Sequence, residues 1–223
     1  MNKVNHIAFI MDGNGRWGKR KGKSRNFGHI RGVDTVKKIV EESIKLKIPS
    51  VSFYVFSTEN WKRPKSEINF LFSLISLYFR KEIKNVRENG IKINIIGNLD
   101  KIPKKFSSSI KKTIKETKKN KKITVTLAIN YGSKSEIINA IKKIKKEKIY
   151  EDSIRRNLQT NNLPDPDILI RTGGRKRLSN FMLWQLAYTE LYFLDKLWPD
   201  FTRKDLYKIV KDYKSIKRNF GAI

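Results

Sequence analysis

A chain of 223 residues is long enough to bury one sizeable α/β core. It has no cysteine and only two histidines, His6 and His29, which excludes a disulfide framework, a thiolate metal centre and a zinc site of the usual kind. Fifty Lys and Arg against 21 Asp and Glu give a net charge of +29, which suits nucleic acid, an anionic membrane surface or phosphorylated substrates, or plain drift in a chain crowded with Lys, Ile and Asn.

In chain order, the start Met1-Asn2-Lys3-Val4-Asn5 leads straight into a strand without a signal peptide. No apolar run reaches the roughly 18–20 residues of a membrane span, so a soluble, cytoplasmic enzyme is expected. Ile7 to Met11 reads as a strand buried on both faces, stopped by the turn Asp12-Gly13-Asn14-Gly15 and followed by Arg16-Trp17. Lys19 to Arg25 reads as a mobile basic loop, and Gly28 to about Lys47 as a helix. Val51–Phe56 is a second strand, ending at Ser57-Thr58-Glu59-Asn60-Trp61-Lys62-Arg63-Pro64. Pro64 opens a long amphipathic helix with Ser66 as a candidate cap; its apolar face from Ile68 to Val86 is wider than a thin stripe. Strands follow at Ile91–Gly97 and Ile123–Asn130, with a basic helix at about Lys104–Lys119 between them. A helix with Ile137, Ile138, Ile141 and Ile144 comes next, and then a short one from Tyr150 to Leu158. Ile168–Ile170 makes a fifth strand ending at Arg171-Thr172-Gly173-Gly174, ahead of an aromatic segment from Phe181 to Phe193. Thr202 caps the last helix. The alternation implies one domain, residues 1–223, with a mostly parallel sheet of about six strands and helices on both faces.

Two phosphate motifs overlie the start of the chain, and neither fits. Gly13-x-Gly15-x-x-Gly18 matches the dinucleotide fingerprint, but Asp12 would stand beside the pyrophosphate and no acidic residue ends the second strand. Gly22-Lys23-Ser24 looks like the tail of a P-loop, whose leading glycine is replaced by Trp17. The strand ends together offer Asp12, Arg16, Arg25, His29, Asn60, Arg63, Arg171, Arg177, Ser179 and Glu190. Five arginines, a serine and glycine turns can hold two diphosphates, and two carboxylates can hold a Mg²⁺ ion. Arginine dominates these turns in a chain dominated by lysine, which favours bidentate phosphate binding over loose salt bridges. The lysines scatter over every helix without a stripe of interleaved aromatics, so charge alone does not make this a nucleic-acid binder.

The blocks Asp12-Gly13-Asn14-Gly15-Arg16-Trp17, Ser57-Thr58-Glu59-Asn60-Trp61-x-Arg63-Pro64, Asn130-Tyr131-Gly132, Arg171-Thr172-Gly173-Gly174, Arg177-Leu178-Ser179-Asn180-Phe181 and Glu190-Leu191-Tyr192-Phe193 resemble, in order, the signature blocks of the cis-prenyltransferases. Among these the chain is most similar to the undecaprenyl diphosphate synthases, which make the lipid carrier for cell-wall sugars. The resemblance implies a homodimer with helices around an apolar tunnel, condensing isopentenyl diphosphate onto farnesyl diphosphate to form Z double bonds. It assigns Asp12 to Mg²⁺ and to departure of the allylic diphosphate, with Glu190 as a second metal ligand. Gly13, Asn14, Gly15, Arg16, Trp17, Arg25 and His29 would bind that diphosphate. Asn60 matches the residue given to proton removal, in a substrate-contacting turn with Ser57, Thr58, Glu59, Trp61 and Arg63. A neutral amide is barely basic, so positioning is the easier chemistry for Asn60. Arg171, Arg177, Leu178 and Ser179 would hold isopentenyl diphosphate. The aspartate-rich D-D-x-x-D signature of trans-prenyltransferases is absent.

Three features depart from the family pattern. Arg175 stands where relatives often carry Glu, Val55 where many carry Ala, and the connection from Ile144 to Pro164 is short. A larger side chain at Val55 would shorten the tunnel and the product. A non-catalytic family subunit predicts decay at Asp12 and Arg177-x-Ser179, and both are intact. A lipid product also implies peripheral contact with a membrane, with no nucleic acid involved.

Overall fold

The buried runs of the sequence become strands: β1 (His6–Ile10), β2 (Ser50–Ser57), β3 (Ile91–Ile96), β4 (Ile123–Tyr131), β5 (Ile168–Arg171) and β6 (Glu190–Phe193). In the computed structural model, which describes residues 2–144 and 148–218, they form one sheet in the order β3-β4-β2-β1-β5-β6. β5 runs parallel to β1, with Ile168 beside Ile7 and Arg171 beside Ile10. β6 runs parallel to β5, with Glu190 beside Ile168, and β4 runs parallel to β3. This is the expected α/β class, with β6 added at the edge. Its four residues are too few and too exposed to show an alternating pattern. The chain divides into two compact units, one holding residues 2–51, 165–177 and 185–218, the other 52–164 and 178–184.

In the first unit the turn after β1 leads into a short helix, α1 (Asn14–Arg20), which Lys19 and Arg20 close, so the loop expected from Lys19 to Arg25 shrinks to residues 21–24. α2 (Arg25–Lys45) starts three residues earlier than its apolar pattern shows, because the Ser24 hydroxyl accepts a hydrogen bond from Phe27 N–H at 3.2 Å. Gly18, the last glycine of the dinucleotide-like run, and Gly28 allow these two helices to meet backbone to backbone. A Cβ on Gly18 would lie 2.2 Å from the Ser24 carbonyl oxygen, and one on Gly28 would lie 1.9 Å from that of Asn14. Gly28→Ala is therefore expected to cost about 1–3 kcal/mol or more, read as a lower urea midpoint at unchanged slope. Phe9, Trp198 and Phe201 form the aromatic centre of this unit, and Trp198 Nε1 donates to the Gly32 carbonyl at 2.9 Å. α7 (Arg203–Ser215) begins at Thr202 as expected; Thr202 Oγ1 accepts from Asp205 N–H, and the Asp205 carboxylate accepts from Thr202 N–H.

In the second unit α3 (Lys65–Glu88) follows Pro64 directly, so Ser66 lies inside the first turn and is not the cap. Ile68, Leu71, Phe72 and Phe79 are buried, whereas Ile75, Tyr78, Ile83 and Val86 are only half-buried and Leu77 is exposed. Phe56, Phe72 and Phe106 are in ring contact at 5.1 Å, the last of them from α4 (Lys104–Thr117). α5 (Ser133–Lys143) and α6 (Glu151–Asn157) bury Ala140, Ile154 and Leu158 together. The short connection after Ile144 falls partly on residues 145–147, outside the described residues.

Candidate functional site

At the carboxyl end of β1 in the first unit, Asp12 receives two guanidinium groups. Arg16 donates to one carboxylate oxygen and Arg171, from the end of β5, to the other, each at 3.0 Å. Arg171 is 4% exposed and Asp12 28%, so the pair is shielded on the arginine side and open on the carboxylate side. The same Arg16 nitrogen donates to the Gly173 carbonyl at 2.8 Å, and Arg171 also donates to the Arg177 carbonyl. The Asp12 backbone is held as well: its carbonyl accepts from Thr172 Oγ1 at 2.8 Å and from Trp198 N–H at 3.1 Å. Gly173 takes φ +89°, and a Cβ there would lie 2.5 Å from the Arg16 guanidinium and 3.0 Å from the Asp12 carboxyl carbon. Only glycine lets this turn approach the ion pairs so closely.

The remaining candidates of the first unit surround that centre to different degrees. The Arg25 guanidinium lies over Gly15, where a Cβ would come within 2.7 Å of it. The Asn14 amide turns back to the Met11 carbonyl at 3.3 Å. Trp17 stacks on Phe27 and donates Nε1–H to Asp200 at 2.7 Å. His29 is half-buried on α2, one residue after the Gly28 contact. Arg177 is exposed. Glu190 does not join Asp12. The strand register sets it beside Ile168 and hence level with Ile7, near the start of β1, whereas Asp12 follows the end of that strand. There it lies 3.8 Å from Arg218. The register thus sets the two carboxylates toward opposite ends of their strands.

In the second unit, β2 runs into a 3₁₀ turn, Thr58–Lys62. Asn60 closes it: its side-chain oxygen accepts from Ser57 N–H at 3.3 Å, so the group expected to move a proton is occupied as a cap. Trp61 donates Nε1–H to Asn130 at 2.8 Å, and Asn130, in the left-handed region at φ +49°, donates to the Asn98 carbonyl at 2.7 Å. Arg63 pairs with the buried Glu67 at 3.4 Å. Glu59 is 3.0 Å from the Asn180 amide. Burial alone would raise the Glu59 carboxyl pKa, but hydrogen bonds from Asn180, from its own backbone and from the Ser57 and Thr58 hydroxyls outweigh it and hold the group below the ordinary carboxylate range. By linkage, this contribution is full above the unfolded pKa and is lost as pH falls through the lowered folded one.

Leu178–Phe181 forms a strained turn, with Ser179 at φ +51° and Asn180 at φ +63°. Asn180 caps α5 from outside that helix: its carbonyl accepts from Ser133 N–H at 2.8 Å and its amide oxygen from Lys134 N–H at 2.9 Å. Tyr54 supports the turn from beneath; its ring stacks on Phe181 at 4.4 Å, and its hydroxyl is 3.2 Å from the Ser179 carbonyl. Burial, and then the charge on Glu59, push the Tyr54 pKa up, which keeps this donor protonated. Two cavities flank Trp61. One of about 400 Å³ is lined by polar groups including Thr58, Asn130 and Glu136, the other of about 430 Å³ by Ile68, Phe72, Ile102 and Pro103 together with Asn69, Asp100, Lys101 and Lys104.

Sequence reasoning did not foresee Thr172, Tyr54, Asn130 or Asn180 as positioning groups. Thr172, Asn130 and Asn180 sit inside motif blocks, so their place was visible while their work was not. Tyr54 reads from sequence only as one more strand aromatic. Among the described residues no three or more His, Asp or Glu cluster as a metal-binding group. One open carboxylate still suits Mg²⁺, which commonly takes one or two carboxylates and completes its shell with phosphate oxygens and water.

A family model described as "Putative undecaprenyl diphosphate synthase" matches residues 10–221. An isoprenyl transferase of Treponema denticola is 46% identical over 98% of both chains, and one of Halalkalibacterium halodurans is 45% identical over 98% of this chain and 89% of its own. Among solved structures, lavandulyl diphosphate synthase from Lavandula x intermedia, in complex with dimethylallyl diphosphate, superposes with a TM-score of 0.94 at 33% identity over 98% of each chain. A Campylobacter jejuni structure described as a probable undecaprenyl diphosphate synthase gives 0.85 at 36% identity, over 99% of this chain and 100% of that one. With the carboxylate held by Arg16 and Arg171 and the signature turns each in place, the chain belongs to the undecaprenyl diphosphate synthase family and is a prenyltransferase.

Proposed function

We propose that the protein is a Mg²⁺-dependent cis-prenyltransferase that adds isopentenyl diphosphate repeatedly to an allylic diphosphate, farnesyl diphosphate, building a Z-polyprenyl diphosphate of the undecaprenyl type and working as a homodimer. The observation that carries this reading is the Asp12 carboxylate held between Arg16 and Arg171 and open to solvent on its free side. Asp12 would hold Mg²⁺, which when bound offsets negative charge on the departing diphosphate. Arg16, Arg25 and His29 take the allylic diphosphate, and backbone N–H groups of the Gly13–Arg16 turn add donors without further side-chain ordering. Arg171, Arg177 and Ser179 take isopentenyl diphosphate, Ser179 being presented by the turn that Asn180 and Tyr54 hold. Asn60 shapes the 58–62 turn and positions substrate there, while a diphosphate oxygen is the stronger base for the proton lost at each addition. The half-buried apolar residues of α3 suit a growing hydrocarbon, which gains about 0.8 kcal/mol per buried CH₂.

Incubation with labelled isopentenyl diphosphate, farnesyl diphosphate and Mg²⁺, followed by sizing of the extracted products, should give a long Z-polyprenyl ladder that chelator abolishes. No incorporation under these conditions would overturn the proposal. A second reading keeps the chemistry and stops the chain earlier. It is favoured by the half-buried Val55 and by similarity to a solved synthase that holds the short dimethylallyl diphosphate. Products that stop well short of the undecaprenyl length, and that lengthen in Val55→Ala, would select it.

A further inference from the structure

The +29 charge is not evenly spread. Between Lys101 and Lys122 the chain carries ten lysines and one acidic residue, Glu116. α4 sorts them by face. At 100° per residue, Lys104, Ser108, Lys111, Lys112 and Lys115 fall within roughly a third of the circumference, and all are exposed. The opposite side carries Phe106, Ile110, Thr113 and Thr117, all buried. Lys118 and Lys119 close the helix on the same exposed side, and Lys121 and Lys122 continue the run into β4. That connection is anchored, because Asn120 donates to the Ile91 carbonyl at 2.8 Å. Glu116 is half-buried and lies 3.8 Å from Lys112.

We infer that the outward face of α4 is a docking surface for an anionic lipid bilayer. The face holds no arginine and no aromatic ring, so it lacks both the bidentate phosphate fork and the base-stacking platform of a nucleic-acid site. Mobile point charges on flexible stems suit a fluid layer of headgroups whose positions are not fixed. The absence of exposed apolar residues there makes this adsorption at the surface and not insertion. The choice of a bilayer rests on the polyprenyl reading above, since such a product leaves water for lipid.

Co-sedimentation of the full chain with vesicles tests it. The protein should bind vesicles of phosphatidylglycerol mixed with phosphatidylcholine, should ignore phosphatidylcholine alone, and should release as added salt shortens the screening length. Combined Lys104→Glu, Lys111→Glu, Lys115→Glu and Lys119→Glu should cut binding by roughly tenfold or more. An equal reversal on α7, Lys204→Glu, Lys208→Glu, Lys211→Glu and Lys214→Glu, should cut it far less; circular dichroism checks that both variants fold. Equal losses in the two variants would show a whole-chain charge effect and overturn the inference, as would failure of the unmodified protein to bind acidic vesicles. A single-stranded RNA oligomer that binds through α4 more tightly than the vesicles do would also overturn it. Turnover in detergent is read separately. The α4 variant should keep it, and an unmodified protein inactive in detergent would count against the prenyl-transfer reading while leaving vesicle binding to be judged by itself.

Discussion

Asp12→Ala is expected to lower incorporation of isopentenyl diphosphate by roughly 10²–10³-fold or more, the scale seen when a group that stabilises developing charge is removed. The chain should still fold, at a cost of about 1–3 kcal/mol, because Arg171 is nearly buried and loses its carboxylate partner while keeping the Arg177 carbonyl. Asp12→Asn separates the two effects. The amide retains an oxygen for one arginine and about the same volume, so more of the stability should survive, but it carries no charge to offer a divalent cation. Steady-state turnover and urea denaturation of both variants would decide the matter. An Asn variant within tenfold of the unmodified enzyme would show that the negative charge is not needed.

Asn180→Ala should produce the second large effect, because three features converge on that residue. Its amide oxygen caps α5 through Lys134 N–H, its amide nitrogen holds Glu59, and its backbone sits at φ +63°. Alanine loses both side-chain bonds and tolerates the left-handed conformation poorly, a total of about 2–4 kcal/mol. Asn180→Gly loses the same bonds without the conformational cost and should recover about 1 kcal/mol of that loss. If the turn presents Ser179 to isopentenyl diphosphate, both variants should raise KM for that substrate several-fold, with KM for the allylic substrate nearly unchanged. Equal rises in the two constants would point to general loosening.

The sequence by itself determined the α/β class, five of the six strands and the positions of the charged turns. Each of these rests on a local cause: continuous apolar runs make strands buried on both faces, and Gly, Asp, Asn and Pro end them. The cap at Thr202 was readable for the same reason. The sequence also placed Asp12 at a strand end and showed arginine replacing lysine there. Only the tertiary structure decided what those groups do to one another. Arg171 meets Asp12 across 159 positions of chain, through the parallel pairing of β1 and β5. The same register carries Glu190 to the other end of its strand, away from Asp12, although both lie in signature blocks. Asn60 reads in the sequence as a positioning amide, and only the fold shows what its oxygen holds: the turn after β2 leaves the Ser57 N–H needing an acceptor, and Asn60 supplies it. The lysines of α4 read as scatter until the helix sets them on one face, a property of three-dimensional period that composition does not contain.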